Sequence, residues 1–172
     1  MKKNVKYFIL FLGLFLIFFP VKSFTDWDPQ KTVAIYFYNR YDQFMHKDID
    51  AFGVEITTFL NQNGMFVWFF GISQKQIVLE KIKKMTKVYV VLEYSGDIET
   101  VSGNKGNYSL TLTMKLKGFN LNNSNKKFEG SFTGEGNKMP DLSNARSLAL
   151  QQIGVKLTEK YLKDIKNLFD KE

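Results

Sequence analysis

The order of apolar and polar positions predicts alternating strands and helices in the first half of the chain. Segments 33–38 and 66–70 are continuously apolar, which is typical of central strands that are covered on both faces. Between them, apolar residues recur at helical spacing after Asp48, and Gly64 is placed to end this helix. The apolar face of the helix consists of Ile49, Phe52, Ile56, Phe59 and Leu60.

A second helix and a third strand follow. Ser73 and Gln76 match a capping box, in which two side chains bond the free backbone N–H groups of a first helical turn. This motif predicts a helix from Ser73 to about Met85. Segment 87–94 (KVYVVLEY) then predicts a third strand, because it is rich in β-branched and aromatic residues.

The second half of the chain changes to strict alternation. Residues 108–119 alternate apolar with polar side chains, which predicts a strand with one buried and one wet face. Turn clusters at 102–107 and 122–125 predict hairpins, with a fifth strand at 127–134. Three glycines indicate the end of that strand and a following loop: Gly130, Gly134 and Gly136. A last helix is predicted over 142–169.

The resulting order, β-α-β-α-β-β-β-α, predicts an α/β fold. Helical connections between the first strands favour parallel pairing, and hairpins between the later strands require antiparallel pairing. We therefore expect one mixed five-stranded sheet with three helices packed on it in two or three layers.

Residues 1–23 predict a secretory signal peptide. The basic residues Lys2, Lys3 and Lys6 precede an uncharged run at 7–19, which Pro20 ends. A membrane-spanning helix needs about 20 apolar residues, so cleavage is favoured over an uncleaved signal anchor. We expect residues 24–172 to form a single domain that is exported to the periplasm or envelope, with secretion as an alternative.

Composition narrows the classes of site and partner. The 172 residues include no cysteine, so no disulfide, thiolate metal site or lipid-bearing cysteine is expected. Four of the 24 basic residues are leader lysines, which leaves 20 basic against 17 acidic residues, or about +3. This small and scattered charge does not predict nucleic-acid binding.

The sequence predicts no catalytic residue, cofactor or metal ion. His46 is the only histidine, and a zinc site takes three or four protein ligands. Asp48 and Asp50 fit the start of a helix, where acidic residues are favoured. Segment 103–106 (GNKG) lacks the Gly-Lys-Ser/Thr order of a phosphate-binding loop. We therefore expect a protein that is not an enzyme.

Tyrosines give the candidate binding surface. Tyr36 and Tyr38 share one face of the first strand, and Tyr89 is expected on the same side of the sheet. If the helices leave that side open, Thr111 and Thr113 lie nearby and the group forms a partner surface. The alternative is that the last helix covers this side, because apolar strands are normally covered on both faces.

Lysines form a second candidate surface on the last helix. They are Lys156, Lys160, Lys163 and Lys166. A solvated helix face explains them, and contact with an anionic membrane or cell-wall polymer is the alternative.

These patterns resemble a group of small α/β domains in bacterial envelope proteins. The stretches that carry the likeness are 32–39 (TVAIYFYN), 51–70, 85–96, 108–119 and 143–162. The group includes the N-terminal domain of the TolB translocation protein, the curli secretion lipoprotein, the lipoprotein activators of penicillin-binding proteins and flagellar assembly protein T. The resemblance implies a fold and an envelope context, and it transfers no binding residue.

Together these observations predict an exported, non-enzymatic binding or assembly domain of the bacterial cell envelope. It would act by protein–protein contact, as an accessory, scaffold or regulator of a larger envelope complex. Two alternatives are a periplasmic enzyme of unknown class and a secreted structural or host-facing protein.

Overall fold

The computed structural model of the protein describes residues 31–38, 46–84, 88–104 and 106–169. The predicted leader, residues 1–23, lies outside these ranges, so the expected domain boundary stays a prediction. Within the described ranges, every helix is too short or too polar to cross a membrane.

The described residues form one sheet of five strands, with four helical segments. The elements are β1 Thr32–Tyr38, α1 His46–Gln62, β2 Phe66–Ile72, α2 Lys75–Lys84, β3 Val90–Asn104, β4 Asn107–Asn120, β5 Lys127–Met139, α3 Leu142–Lys160 and α4 Leu162–Asn167. The strand order is β2-β1-β3-β4-β5, in which β1 runs parallel to β2 and β3, and β4 runs antiparallel to β3 and β5. The predicted α/β fold with a mixed sheet is confirmed.

The main core lies between one face of the sheet and helices α1 and α3. Alternate residues of β1, such as Ile35 and Phe37, point into it. Strand β4 contributes every second side chain, as its alternation predicts, and these side chains are fully buried. They are Leu110, Leu112, Met114 and Leu116. The predicted wet face of β4 carries the residues between them.

A smaller core lies on the opposite face, beneath α2. Val78 and Ile82 of this helix pack with Ala34 and Tyr36 of β1 and with Val91 of β3. Strand β1 is therefore covered on both faces, as a continuously apolar run predicts. The covering element on this side is α2, not the last helix.

Helix α3 lies unusually close to β5 because small residues face each other. Gly134 lies against Ala149, and Gly136 lies against Ala145. A Cβ atom at Gly136 would be 1.9 Å from the carbonyl oxygen of Ala145. The prediction of a loop from residue 136 onward is therefore wrong, since β5 continues to Met139 beneath the helix.

The last helix begins at a side-chain cap and breaks near its end. The Asp141 carboxylate accepts a hydrogen bond from the Asn144 N–H at 2.8 Å. Tyr161 then leaves helical geometry, with φ −102° and ψ 11°. Its ring stacks on Phe128 at 5.4 Å and lies over Gly130. The single helix predicted over 142–169 is therefore two segments, α3 and α4.

Candidate functional site

Tyr36 of the predicted partner surface is fully buried. Helix α2 covers it with Val78 and Ile82, and its hydroxyl group donates a hydrogen bond to the carboxylate of Glu93. Its assignment to an exposed surface is wrong, because a helix occupies the side of the sheet that the prediction left open.

The other four predicted residues do not form one patch. Tyr38 packs against the small core, and Tyr89 is 37% exposed just before β3. Thr113 lies beyond the end of β1, where its hydroxyl group is 3.1 Å from that of Thr133. Val90, the residue after Tyr89, pairs with Asn120 of β4. Thr111 lies nine residues before Asn120 on the same strand, so it is about 30 Å from Tyr89. A partner contact at any one of these residues stays a prediction.

Two buried tyrosine hydroxyl groups have perturbed ionisation. Burial, and then the hydrogen bond and charge of Glu93, raise the pKa of Tyr36 above its ordinary value. Burial also raises the pKa of Tyr94, while its hydrogen bond with Thr158 acts in the opposite direction. The Tyr94 hydroxyl oxygen is 2.5 Å from Thr158 Oγ1, and the Thr158 hydroxyl group donates a hydrogen bond to the Gly154 carbonyl group. The hydroxyl groups of Tyr36 and Tyr94 are therefore both hydrogen-bonded within the fold.

These tyrosines predict loss of stability at alkaline pH. The folded protein holds both protons above pH 10, whereas the unfolded chain releases them, so the free energy of unfolding falls as pH rises. Between pH 9 and pH 11 we expect a total fall of about 1.4 kcal/mol for each tyrosine, because a tyrosine in the unfolded chain titrates at about pH 10 while the buried one keeps its proton. Urea unfolding of wild type and Tyr94→Phe at pH 9, 10 and 11 measures this slope. A variant with the wild-type slope would show that Tyr94 ionises equally in both states.

Among the residues that the structure describes, the most exposed aromatic side chains lie on β2, at the edge of the sheet. Phe66 is 40% exposed and Trp68 is 46% exposed. Their register partners are Thr32 and Ala34 of β1, which places both aromatic side chains on the α2 side of the sheet. The next aromatic residue on that side, Phe70, packs on the small core. We call Phe66, Trp68 and the outer backbone of β2 the aromatic edge.

Sequence reasoning missed this site because it interpreted 66–70 as a central strand. A continuously apolar run does not distinguish a strand covered by two neighbours from an edge strand with one. The size of the side chains is the one signal that could have indicated exposure. Phe66 and Trp68 occupy alternate positions on one face of β2, and the helix that follows them, α2, has only ten residues with which to cover two large rings.

A second surface is an open groove of about 460 Å³ between α2 and the ends of β4 and β5. Its basic rim consists of Lys75, Lys117 and Lys127. Lys75 Nζ lies 4.7 Å from the centre of the Phe119 ring, and Lys117 Nζ lies 3.2 Å from a carboxylate oxygen of Glu129. We call this site the lysine groove.

The lysines of the last helix are all exposed, as a solvated face predicts. Lys160 also lines a smaller cavity with Lys115 and Lys117 at the β5 edge. Contact of the helix lysines with an anionic surface stays a prediction. Across the described ranges, no three histidine, aspartate or glutamate side chains are grouped so that they could hold a metal ion.

Comparison with known proteins identifies the fold. No protein-family model matches the chain, and no curated protein matches its sequence. The crystal structure of protein XCC0632 from Xanthomonas campestris, of family DUF330, is similar to 80% of this chain and 86% of its own, with a TM-score of 0.51 and 10% identity. Protein CT253 from Chlamydia trachomatis is also similar, over 78% of this chain and 96% of its own, with a TM-score of 0.48 and 10% identity.

A lipoprotein from Neisseria meningitidis, GNA1162, is similar over 77% of this chain and 98% of its own, with a TM-score of 0.41 and 13% identity. At such identities a structural likeness concerns the fold alone. The chain therefore shares a fold with the Xanthomonas protein. The closer resemblance to TolB and its companions stays a prediction.

Proposed function

We propose that the protein is an exported, non-enzymatic binding domain of the bacterial cell envelope, and that it acts by contact with another envelope protein. The aromatic edge carries this proposal. It combines two large exposed aromatic side chains, Phe66 and Trp68, with a strand that has a single neighbour in the described sheet.

An edge strand presents unpaired backbone N–H and C=O groups to which a strand of a partner can add. Proteins normally protect such edges with charged residues, proline or a β-bulge. The β2 sequence, FVWFFGI, contains no charged residue and no proline, and its pairing with β1 is regular from Phe66 to Phe69, before a register shift. Tryptophan and phenylalanine are also enriched at the centres of protein interfaces. Both features favour a protein partner that covers β2.

Two further observations support the envelope and binding parts of the proposal. The leader predicted at residues 1–23 would direct the chain out of the cytoplasm, and the same fold occurs in a bacterial protein of Xanthomonas. Two described groups with a clearly raised pKa, Tyr36 and Tyr94, are buried and form hydrogen bonds within the fold. Their perturbation is therefore accounted for by structure without a catalytic role.

The proposal predicts site-specific crosslinking to one envelope protein. The photoreactive residue p-benzoylphenylalanine would replace Trp68 in the producing cells, and mass spectrometry would identify the adducts. Val101 is the matched control position, because its side chain is also 46% exposed but lies on β3. We expect one dominant adduct from position 68 and none of that mass from position 101.

Trp68→Ala tests the same contact without a reactive group. Loss of a tryptophan at the energetic centre of an interface costs about 2 kcal/mol, so the dissociation constant for the partner should rise about 30-fold and less partner should co-purify with the variant. Unchanged recovery, or the same adduct from both positions, would place the contact elsewhere. A protein that reaches the culture supernatant without any adduct would favour the secreted alternative.

A further inference from the structure

We infer that the lysine groove binds the phosphate headgroups of anionic phospholipids at a membrane surface. The inference does not rest on the proposed function, because the groove is built from α2, β4 and β5, whereas the aromatic edge belongs to β2. The two surfaces can therefore be occupied independently.

The charge of the groove is the first argument. Three separate elements contribute its lysines: α2 provides Lys75, β4 provides Lys117 and β5 provides Lys127. Among the described residues that line the groove, Glu129 alone is acidic, and it faces Lys117. The side chains of this pair are 43% and 71% exposed, so water weakens the attraction between them. The groove keeps a local excess of positive charge although the mature chain is nearly neutral.

Apolar side chains beside the lysines are the second argument. Leu79, Phe119 and Leu121 also line the groove, and Leu121 is 37% exposed. The Leu121 N–H donates a hydrogen bond of 2.8 Å to the Tyr89 carbonyl group, so these two residues are neighbours. Tyr89 is also 37% exposed. Tyrosine and leucine next to lysine suit the boundary between headgroups and acyl chains.

The lysines bind any anion as flexible point charges, so the apolar side chains beside them decide between the possible occupants. The described lining of the groove contains three lysines and no arginine, together with Leu79, Phe119 and Leu121. A lipid offers a phosphate and acyl chains to these two kinds of side chain, whereas an acidic protein segment offers charge alone. An acidic segment is therefore the less favoured occupant, and the experiment includes it as an outcome.

The test is co-sedimentation with vesicles of phosphatidylglycerol or of phosphatidylcholine at 50 and 200 mM salt. Wild type and variants are purified from the same producing cells. The leader is then cleaved or retained equally in all of them, so it contributes equally to their vesicle binding. We expect binding to phosphatidylglycerol vesicles alone, weaker at the higher salt concentration. The double variant Lys75→Gln/Lys127→Gln should bind about 30-fold more weakly, since each lysine near an anionic surface contributes about fivefold.

Lys83→Gln/Lys84→Gln is the matched control. It removes the same charge from exposed positions of the same helix, away from the groove, and should change binding less than threefold. Leu121→Ser should also weaken binding while keeping its salt dependence. Circular dichroism establishes that each variant is folded.

Three results would overturn the inference. One is equal binding of wild type to the two kinds of vesicle. Another is an equal loss of binding in both double variants, which would indicate a diffuse charge effect. The last is retention of wild type on immobilised polyglutamate without binding to vesicles, which would identify an acidic protein as the occupant. Because Trp68→Ala leaves the groove intact, it should bind vesicles like wild type even if its protein partner is lost.

Discussion

Replacing Gly136 with alanine should lower the free energy of unfolding by about 3 kcal/mol, because a single methyl group would force a helix off the sheet. The added Cβ would lie 1.9 Å from the carbonyl oxygen of Ala145 and 2.6 Å from its carbonyl carbon. Both are backbone atoms of α3, so no side-chain rotation relieves the clash. Equilibrium urea unfolding, followed by circular dichroism, measures the loss.

The matched control is Gly106→Ala, in the turn between β3 and β4. Apart from Gly106 and its two chain neighbours, no described atom lies within 4 Å of a Cβ atom built at Gly106, but its φ of +88° is unfavourable for alanine. We expect this change to cost about 1 kcal/mol from backbone strain alone. If Gly136→Ala cost no more than Gly106→Ala, α3 would not rest on β5 as closely as described.

This contact also shows where sequence reasoning reached its limit. The alternation of β4 and the helical spacing of α1 identified their elements and buried faces correctly, because each pattern has a period that only one element satisfies. In the sequence, Gly134 and Gly136 predict the end of a strand and the start of a loop. Paired glycines facing paired alanines instead let two backbones approach, and that meaning becomes clear only when the packing partner is known.

The candidate site was harder to predict than the fold for a related reason. The pattern placed Tyr36 on the correct face of β1, but exposure depends on which element covers that face. The short helix α2 covers it, and the same helix leaves Trp68 of β2 exposed. Exposure on a sheet depends on strand order and on which helix covers each face, and both depend on residues far apart in the chain. Hydrophobic spacing is a local pattern, so it predicts the face on which a side chain lies but not the element that covers that face.

Phe52→Ala should lower the free energy of unfolding by about 4 kcal/mol, a larger loss than at Gly136. The Phe52 ring is buried where α1, α3 and β1 meet. It makes edge-to-face contacts with Phe37 at 6.3 Å and with Tyr94 at 5.4 Å between ring centres. Gly154 of α3 lies against the same ring, since a Cβ atom at Gly154 would be 2.2 Å from Phe52 Cε2.

Gly154 has no side chain that could move into the space left by Phe52, so truncation leaves a cavity that the neighbours fill poorly. The matched control is Phe66→Ala, the same substitution at a side chain that is 40% exposed, which we expect to cost less than about 1 kcal/mol. Urea unfolding separates the two roles: Phe52 stabilises the fold, and Phe66 is available for binding. A small effect at Phe52 would show that the core repacks. A large effect at Phe66 would show that the aromatic edge contributes to folding, and would weaken the case for a partner there.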